Sequence, residues 1–182
     1  IEDTPVNLTK ACNILASWDR RFNSESRGAV LFREWITQYP ADETSIGSSL
    51  FQQPFNPMEA ATTPAGLTNT ELALDRLARA ILLLEAEGIG LDTALGNLQI
   101  GHRSERQYPV HGGNRHEGIA NLQMSTTVGN NPTETPVFTG SDEFAGDSKG
   151  LSKSGYNVVH GSSFIMTLGW NDAGPEAEAI LS

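Results

Sequence analysis

The chain has 182 residues, enough to bury a real apolar core, and 12 basic against 22 acidic residues give it a formal charge of −10. That balance repels phosphate backbones and anionic lipid surfaces, so neither nucleic acid nor a membrane is expected as a partner. The one cysteine, Cys12, excludes an internal disulfide and a cysteine-based metal cluster, and no apolar run approaches the ~20 residues that span a bilayer.

In chain order, Leu8, Ala11, Cys12, Leu15 and Trp18 recur at helical spacing behind Asn7, which predicts an amphipathic helix capped by Asn7, with Cys12 as a small buried hydrophobe. Asp19, close to the negative end of that helix, calls for compensation by Arg20, Arg21 or Arg27. A second helix, capped by Ser24 or Ser26 and stopped by Pro40, places Leu31, Phe32, Trp35, Ile36 and Tyr39 inward and packs antiparallel to the first. The segment 41–67 reads as an ordered but irregular connection. Thr68 to Glu71 has capping-box spacing ahead of Leu74, Leu77, Ala78, Ile81 and Leu84, and Gly88 closes that third helix.

After a short helical turn at Asp92–Gly96, Leu98 to Gly101 begins the first strand. Gln107–Val110 and Ile119–Val128 follow as strand, and 129–154 is a long loop. The stretch Gly155–Trp170 is rich in β-branched and apolar residues on both alternating faces, so it reads as a central strand buried on both sides. Asn171 to Pro175 then turns the chain into a hairpin with Ala177–Leu181. Helices occupy 1–96 and strands 97–182, giving a single α+β domain with mainly antiparallel pairing.

No residue set assembles a site on spacing alone. His102, His111 and His116 lie close in sequence, but without a helical i, i+4 pair or an HExxH pattern they are read as structural or exposed, with no bound metal and no cofactor. His160 shares a strand face with Ser162, and Ser163 follows. No G-x-S-x-G elbow or third orienting group accompanies them, so they are assigned to hydrogen bonding in a crowded core. The glycine-rich Val110–Gly118 lacks a P-loop lysine and reads as a tight turn with positive φ. Asp142, Glu143 and Asp147 lack an EF-hand pattern and read as a solvated acidic loop.

Several strings appear in order: Trp18-Asp-Arg-Arg21, Ser26-Arg-Gly28 with Leu31-Phe-Arg-Glu34, Pro54-Phe-Asn-Pro57, Leu95-Gly96, His111-Gly-Gly113 with Gly118 and Asn121, His160-Gly-Ser-Ser-Phe164, and Gly174-Pro175 with Ala177 to Ser182. Together they resemble the distal part of the β subunit of penicillin amidase-like acylases, in the acyl-homoserine-lactone and aculeacin acylase branch. The resemblance implies a piece of an αββα N-terminal-nucleophile hydrolase, made as a self-cleaving precursor. In such enzymes a serine at the new β-chain terminus attacks the amide carbonyl and its own amino group acts as base. Residue 1 here is Ile1, and the family's serine, histidine and oxyanion asparagine lie upstream of the resembling segment, so no catalytic residue is carried over. The chain is therefore expected to be an inactive scaffold, with the rest of the β subunit and the α subunit as partners and a small N-acyl amide as the parent's substrate. On the resemblance alone the parent is periplasmic or secreted. Trp18–Arg21 with Arg33-Glu34 is expected to form a structural ion-pair network. The alternative is a non-catalytic ligand- or peptide-binding module using the 129–154 loop.

Overall fold

The computed structural model describes residues 6–39, 50–103, 106–114, 117, 119, 121–124, 144–162 and 164–181. The described residues contain three α-helices, α1 (Leu8–Ser17), α2 (Ala29–Ile36) and α3 (Thr70–Ala86), with a short strand pair between the second and third in place of the all-helical 1–96 expected. Asn7 caps α1 by accepting from Thr9 N, as its sequence position predicts. Cys12, however, is exposed, because the inward face of this short helix is centred on Ala11.

Helix α2 departs from its predicted cap. Gly28, not a serine, precedes it with φ 99°, and a Cβ there would come 2.8 Å from Trp18 Cβ, so only glycine admits both the backbone angle and the indole. Ser26 is used elsewhere: its carbonyl accepts from Leu95 N, and its hydroxyl donates to Asp19. Asp19 also accepts from the Arg21 backbone N–H, so its charge is met by a local turn and a hydroxyl in place of the arginine side chains expected. Arg27 instead donates to the Asp92 carbonyl. Helix α2 ends at Ile36, and Pro40 lies outside the described residues.

Helix α3 begins one residue later than its capping-box spacing implies, since Asn69 accepts from Leu72 N and is the true cap. Its end follows the prediction. Gly88, at φ 68°, lets Ile89 N reach Leu84 O and its own N–H reach Glu85 O, the two bonds of a Schellman ending. The buried seam is Ala73, Leu77, Ala80, Ile81 and Leu84, while Leu74 is 40% exposed. Alanines at the seam leave room for Trp35 of α2, whose indole N–H donates to Ala73 O.

The segment read as irregular contains a small hairpin, β1 (Phe51–Gln53) with β2 (Ala65–Leu67). Strands of three residues are too short for alternation to register in the sequence. The larger sheet is built from β3 (Gln99–Arg103), β4 (Arg106–Pro109), β5 (Leu122–Met124), β6 (Leu151–Ser152) and β7 (Gly155–Gly161), in the order β4-β3-β7-β5 with β6 also on β7. Pairing is antiparallel except between β3 and β7, which run parallel with Gln99 beside Tyr156. The predicted α+β class therefore describes these residues, with the parallel pair as its exception.

Strand β7 is the centre of this sheet, but the long central strand predicted over 155–170 is two strands. The second, β8 (Phe164–Asn171), pairs with β9 (Gly174–Leu181) as a hairpin outside that sheet. Asn171 sets the turn by accepting from Ala173 N, and Gly174 takes φ 123°. Leu151 and Tyr156 close the main core from the sheet side against Ala11, Val30, Leu31, Leu77, Ile81, Leu84 and Leu95. A ladder of rings borders it, with Trp18 centred 4.9 Å from Phe32 and 5.5 Å from Phe22.

Candidate functional site

The most deeply buried charged groups converge where α2 meets β7. On α2 the buried residues are Ala29, Val30, Leu31, Arg33 and Glu34, while Phe32 and Trp35 are only half-buried. Leu31 and Tyr39 are buried as hydrophobic periodicity predicts, but this eight-residue helix also turns two charged side chains inward, which periodicity does not predict.

The explanation lies in partners remote in sequence. Glu117 binds Arg33 side-on as a fork: Arg33 Nε donates to Oε1, and Nη2 donates to Oε2 at 3.3 Å. Both side chains are at most 1% exposed. The Arg33 guanidinium also stacks over Tyr156, 4.4 Å from the ring centroid, and lies 5.5 Å from that of Phe22. Tyr156 in turn donates its hydroxyl to Glu34 Oε1 at 2.6 Å. One buried cation therefore faces two carboxylates and a phenol.

The glycine-rich segment makes this possible. Gly112 has φ 105°, as the predicted tight turn requires, and its N–H donates to Phe22 O at 2.7 Å. A Cβ at Gly112 would strike the Asn121 carboxamide, which accepts from Gly113 N at 2.9 Å. Asn114 N then donates to Glu117 Oε2 at 2.6 Å, which aims the carboxylate inward. From β3, Gln99 donates to the carbonyls of Val110 and Gly112 and anchors the segment to the sheet.

Burial pushes the Glu34 carboxyl up from its ordinary 4.5, opposed by the hydrogen bonds of Tyr156 and Ser148 and by the Arg33 charge. Burial likewise pushes the Tyr156 hydroxyl well above 10, and the charge of Glu34 adds to the rise. A carboxyl whose folded pKa is raised stabilises the fold fully below 4.5, and that contribution is lost as pH rises through the folded value. Glu34→Gln keeps the acceptor for Tyr156 but removes the titration. The stability of the parent chain relative to this variant should therefore fall as pH is raised from 4.5, as read by urea denaturation at a series of pH values.

The network expected from Trp18–Arg21 with Arg33-Glu34 is thus a different one. Arg33 and Glu34 are its centre, but their partners are Glu117 and Tyr156, and Asp19 belongs to a separate turn. The weak signal for Glu117 was its place in a segment whose glycines must fold tightly. Nothing in the sequence couples it to a helix 84 residues earlier.

The other candidates are not drawn together. His160 and Ser162 are exposed at the end of β7, not buried in a crowded core, and Ser163 lies outside the described residues. His160 borders an open cleft of about 270 Å³ with Gly101, Tyr108, Val110, Val158, Val159 and Gly161. His111 and Asp147 are exposed, whereas His116, Asp142, Glu143 and the His102 side chain lie outside the described residues. Of the 129–154 loop, residues 144–154 are described and are folded structure. Ser148 Oγ accepts from Leu151 N, and β6 pairs with β7. No helix among the described residues is long and apolar enough to cross a membrane.

Against this geometry the comparisons with known proteins are direct. The profile of the family described as Penicillin amidase matches residues 2–182. Aculeacin-A acylase of Actinoplanes utahensis is 30% identical over 178 residues, covering 97% of this chain and 19% of that protein. The acyl-homoserine lactone acylases PvdQ of Pseudomonas syringae pv. tomato and Pseudomonas fluorescens are 26% and 27% identical, covering 99% and 96% of this chain and 20% of each relative. This chain therefore spans about a fifth of the length of the curated relatives it matches. With the match running almost end to end, this chain belongs to the penicillin amidase family.

Proposed function

We propose that these residues are the scaffolding part of an N-acyl amide hydrolase, whose substrate is an N-acyl compound such as an acyl-homoserine lactone, aculeacin or a penicillin. The relatives are named as acylases, which supports the reaction class. The observation that carries the scaffolding role is the network of Arg33, Glu34, Glu117 and Tyr156. Its charged groups are sealed from solvent, with Arg33 on Glu117 and Glu34 on Tyr156, so they hold α2 against the sheet and are out of a substrate's reach.

In this reading the attacking hydroxyl and its base are supplied by acylase polypeptide beyond these residues. The hydroxyl displaces the amine from the amide and forms an acyl ester, which water then hydrolyses to the carboxylic acid and the free hydroxyl, and the whole acylase works in the periplasm or outside the cell. The isolated chain, incubated with an N-acyl amide, should release no amine above the uncatalysed rate. It should become part of an active hydrolase when produced together with the remaining acylase polypeptide. Hydrolysis by the isolated chain would overturn the scaffolding role, and His160 with Ser162 would then be the first residues to replace.

A further inference from the structure

We infer that one face of the β8–β9 hairpin is a docking surface for the acylase polypeptide outside the region that this chain matches, an inference that rests on the function proposed above. Register assigns the faces. Met166, Leu168 and Trp170 stand opposite Ala179, Ala177 and Pro175, so six apolar residues share one side of the hairpin. The other side carries Thr167, Gly169 and Asn171 opposite Glu178, Glu176 and Gly174, with the pair Ile165 and Ile180 only at the end away from the turn. This is the alternation of a sheet with one covered and one solvated face.

Yet the apolar face is uncovered. Met166, Leu168 and Trp170 are 48%, 54% and 75% exposed, and the three residues facing them are exposed as well. Among the described residues, β8 and β9 form a sheet of their own with no third strand. A lone two-stranded hairpin is at best marginally stable in water, so this face calls for a cover.

Its dimensions indicate which cover. The apolar pairs run from Met166 to Trp170 on one strand and from Pro175 to Ala179 on the other, a footprint of roughly 17 Å by 10 Å. Two copies meeting through it would bury several hundred Å², well under the ~1,200 Å² that a stable association needs. Polypeptide that also touches the rest of the chain does not depend on this face alone for its affinity. About four fifths of each relative's length lies outside the matched region, which supplies such polypeptide. The occupant is accordingly an aliphatic or aromatic surface of that remainder, laid on Leu168 and Trp170.

The test joins the tagged chain with the remaining polypeptide of the same acylase, produced as a separate chain, and measures their co-purification. Leu168→Lys should lower recovery by about tenfold or more, whereas Thr167→Lys, on the opposite face beside Glu178, should leave it unchanged. Both variants, studied alone, should melt at the temperature of the unaltered chain. Three results would each overturn the inference: recovery unaffected by Leu168→Lys, absence of co-purification even for the unaltered chain, or a marked loss of Tm for isolated Leu168→Lys, which would mean that the face is covered from within. A dimer of the isolated chain that Leu168→Lys dissociates would assign the face to a second copy instead. Amide hydrolysis by the assembled pair is scored separately. An assembled but inactive pair would refute the proposed function and leave the docking surface standing.

Discussion

Arg33→Leu should destabilise the fold by about 3–5 kcal/mol, the range typical of removing one partner from a buried ion pair. The loss arises less from the missing attraction than from what remains. Glu117 keeps a carboxylate at 0% side-chain exposure with its cation gone, and Glu34, also buried, loses the charge that opposes its desolvation. The Tyr156 and Phe22 rings lose their cation in the same step. Urea denaturation measures the effect directly. The double variant Arg33→Leu with Glu117→Leu should recover much of the loss, because the stranded Glu117 carboxylate is removed with its cation, and Glu34 keeps the hydrogen bond from Tyr156. A double variant as unstable as the sum of its single variants would show that the two residues act independently, contrary to the geometry.

Gly155→Ala should be comparably severe, for a reason rooted in backbone rather than charge. Gly155 opens β7 at φ 101°, a conformation that costs an L-residue on the order of 1–3 kcal/mol. An added Cβ would also drive into the carbonyl of Leu98, the group that accepts from Tyr156 N at 2.7 Å. Leu98 precedes β3, and the parallel register of β3 on β7 begins one residue on, at Gln99 with Tyr156. Relief of the clash therefore has to shift the strand that carries the Tyr156 hydroxyl to Glu34. The expected result is a lower Tm together with greater accessibility of tyrosine to solvent, seen as a shifted phenol absorbance. Gly174→Ala is the control. Gly174 has φ 123° but no atom within 4 Å of an added Cβ, so it bears the backbone cost alone.

Local features were legible in the sequence because their causes are local. Asn7 caps the helix that begins beside it, Gly88 ends α3 through bonds to Leu84 and Glu85, and Asn171 with Gly174 turns β8 into β9. The order of the family's short strings pointed to the penicillin amidase family, and the profile match over residues 2–182 agrees. Where two local signals competed, the reading slipped by small steps. Asn69 displaced Thr68 as cap, and Gly28 displaced the serines, because the choice depends on how the chain arrives from elsewhere.

Arg33 and Glu34 were expected in an ion-pair network, but their partners and their burial were decided by tertiary structure. Periodicity asks which side of a helix is greasy, and on α2 and the turn after it favours Leu31, Phe32, Trp35, Ile36 and Tyr39, of which Leu31 and Tyr39 are buried and the other three are half-buried. The sealed residues also include Arg33 and Glu34. Burying charge is favourable only when matching groups arrive to receive it, and those groups, Glu117 and Tyr156, stand 84 and 122 residues further along the chain. In the same way, the apolar run after Gly155 specified strand but not where one strand ends and the next begins. That was settled by β3, β5 and β6, which pair with β7 and leave β8 to β9. Short-range pattern thus located the helices and the turns whose bonds are local, while distant pairing decided the strand limits, two of the three helix caps and the inward burial of Arg33 and Glu34.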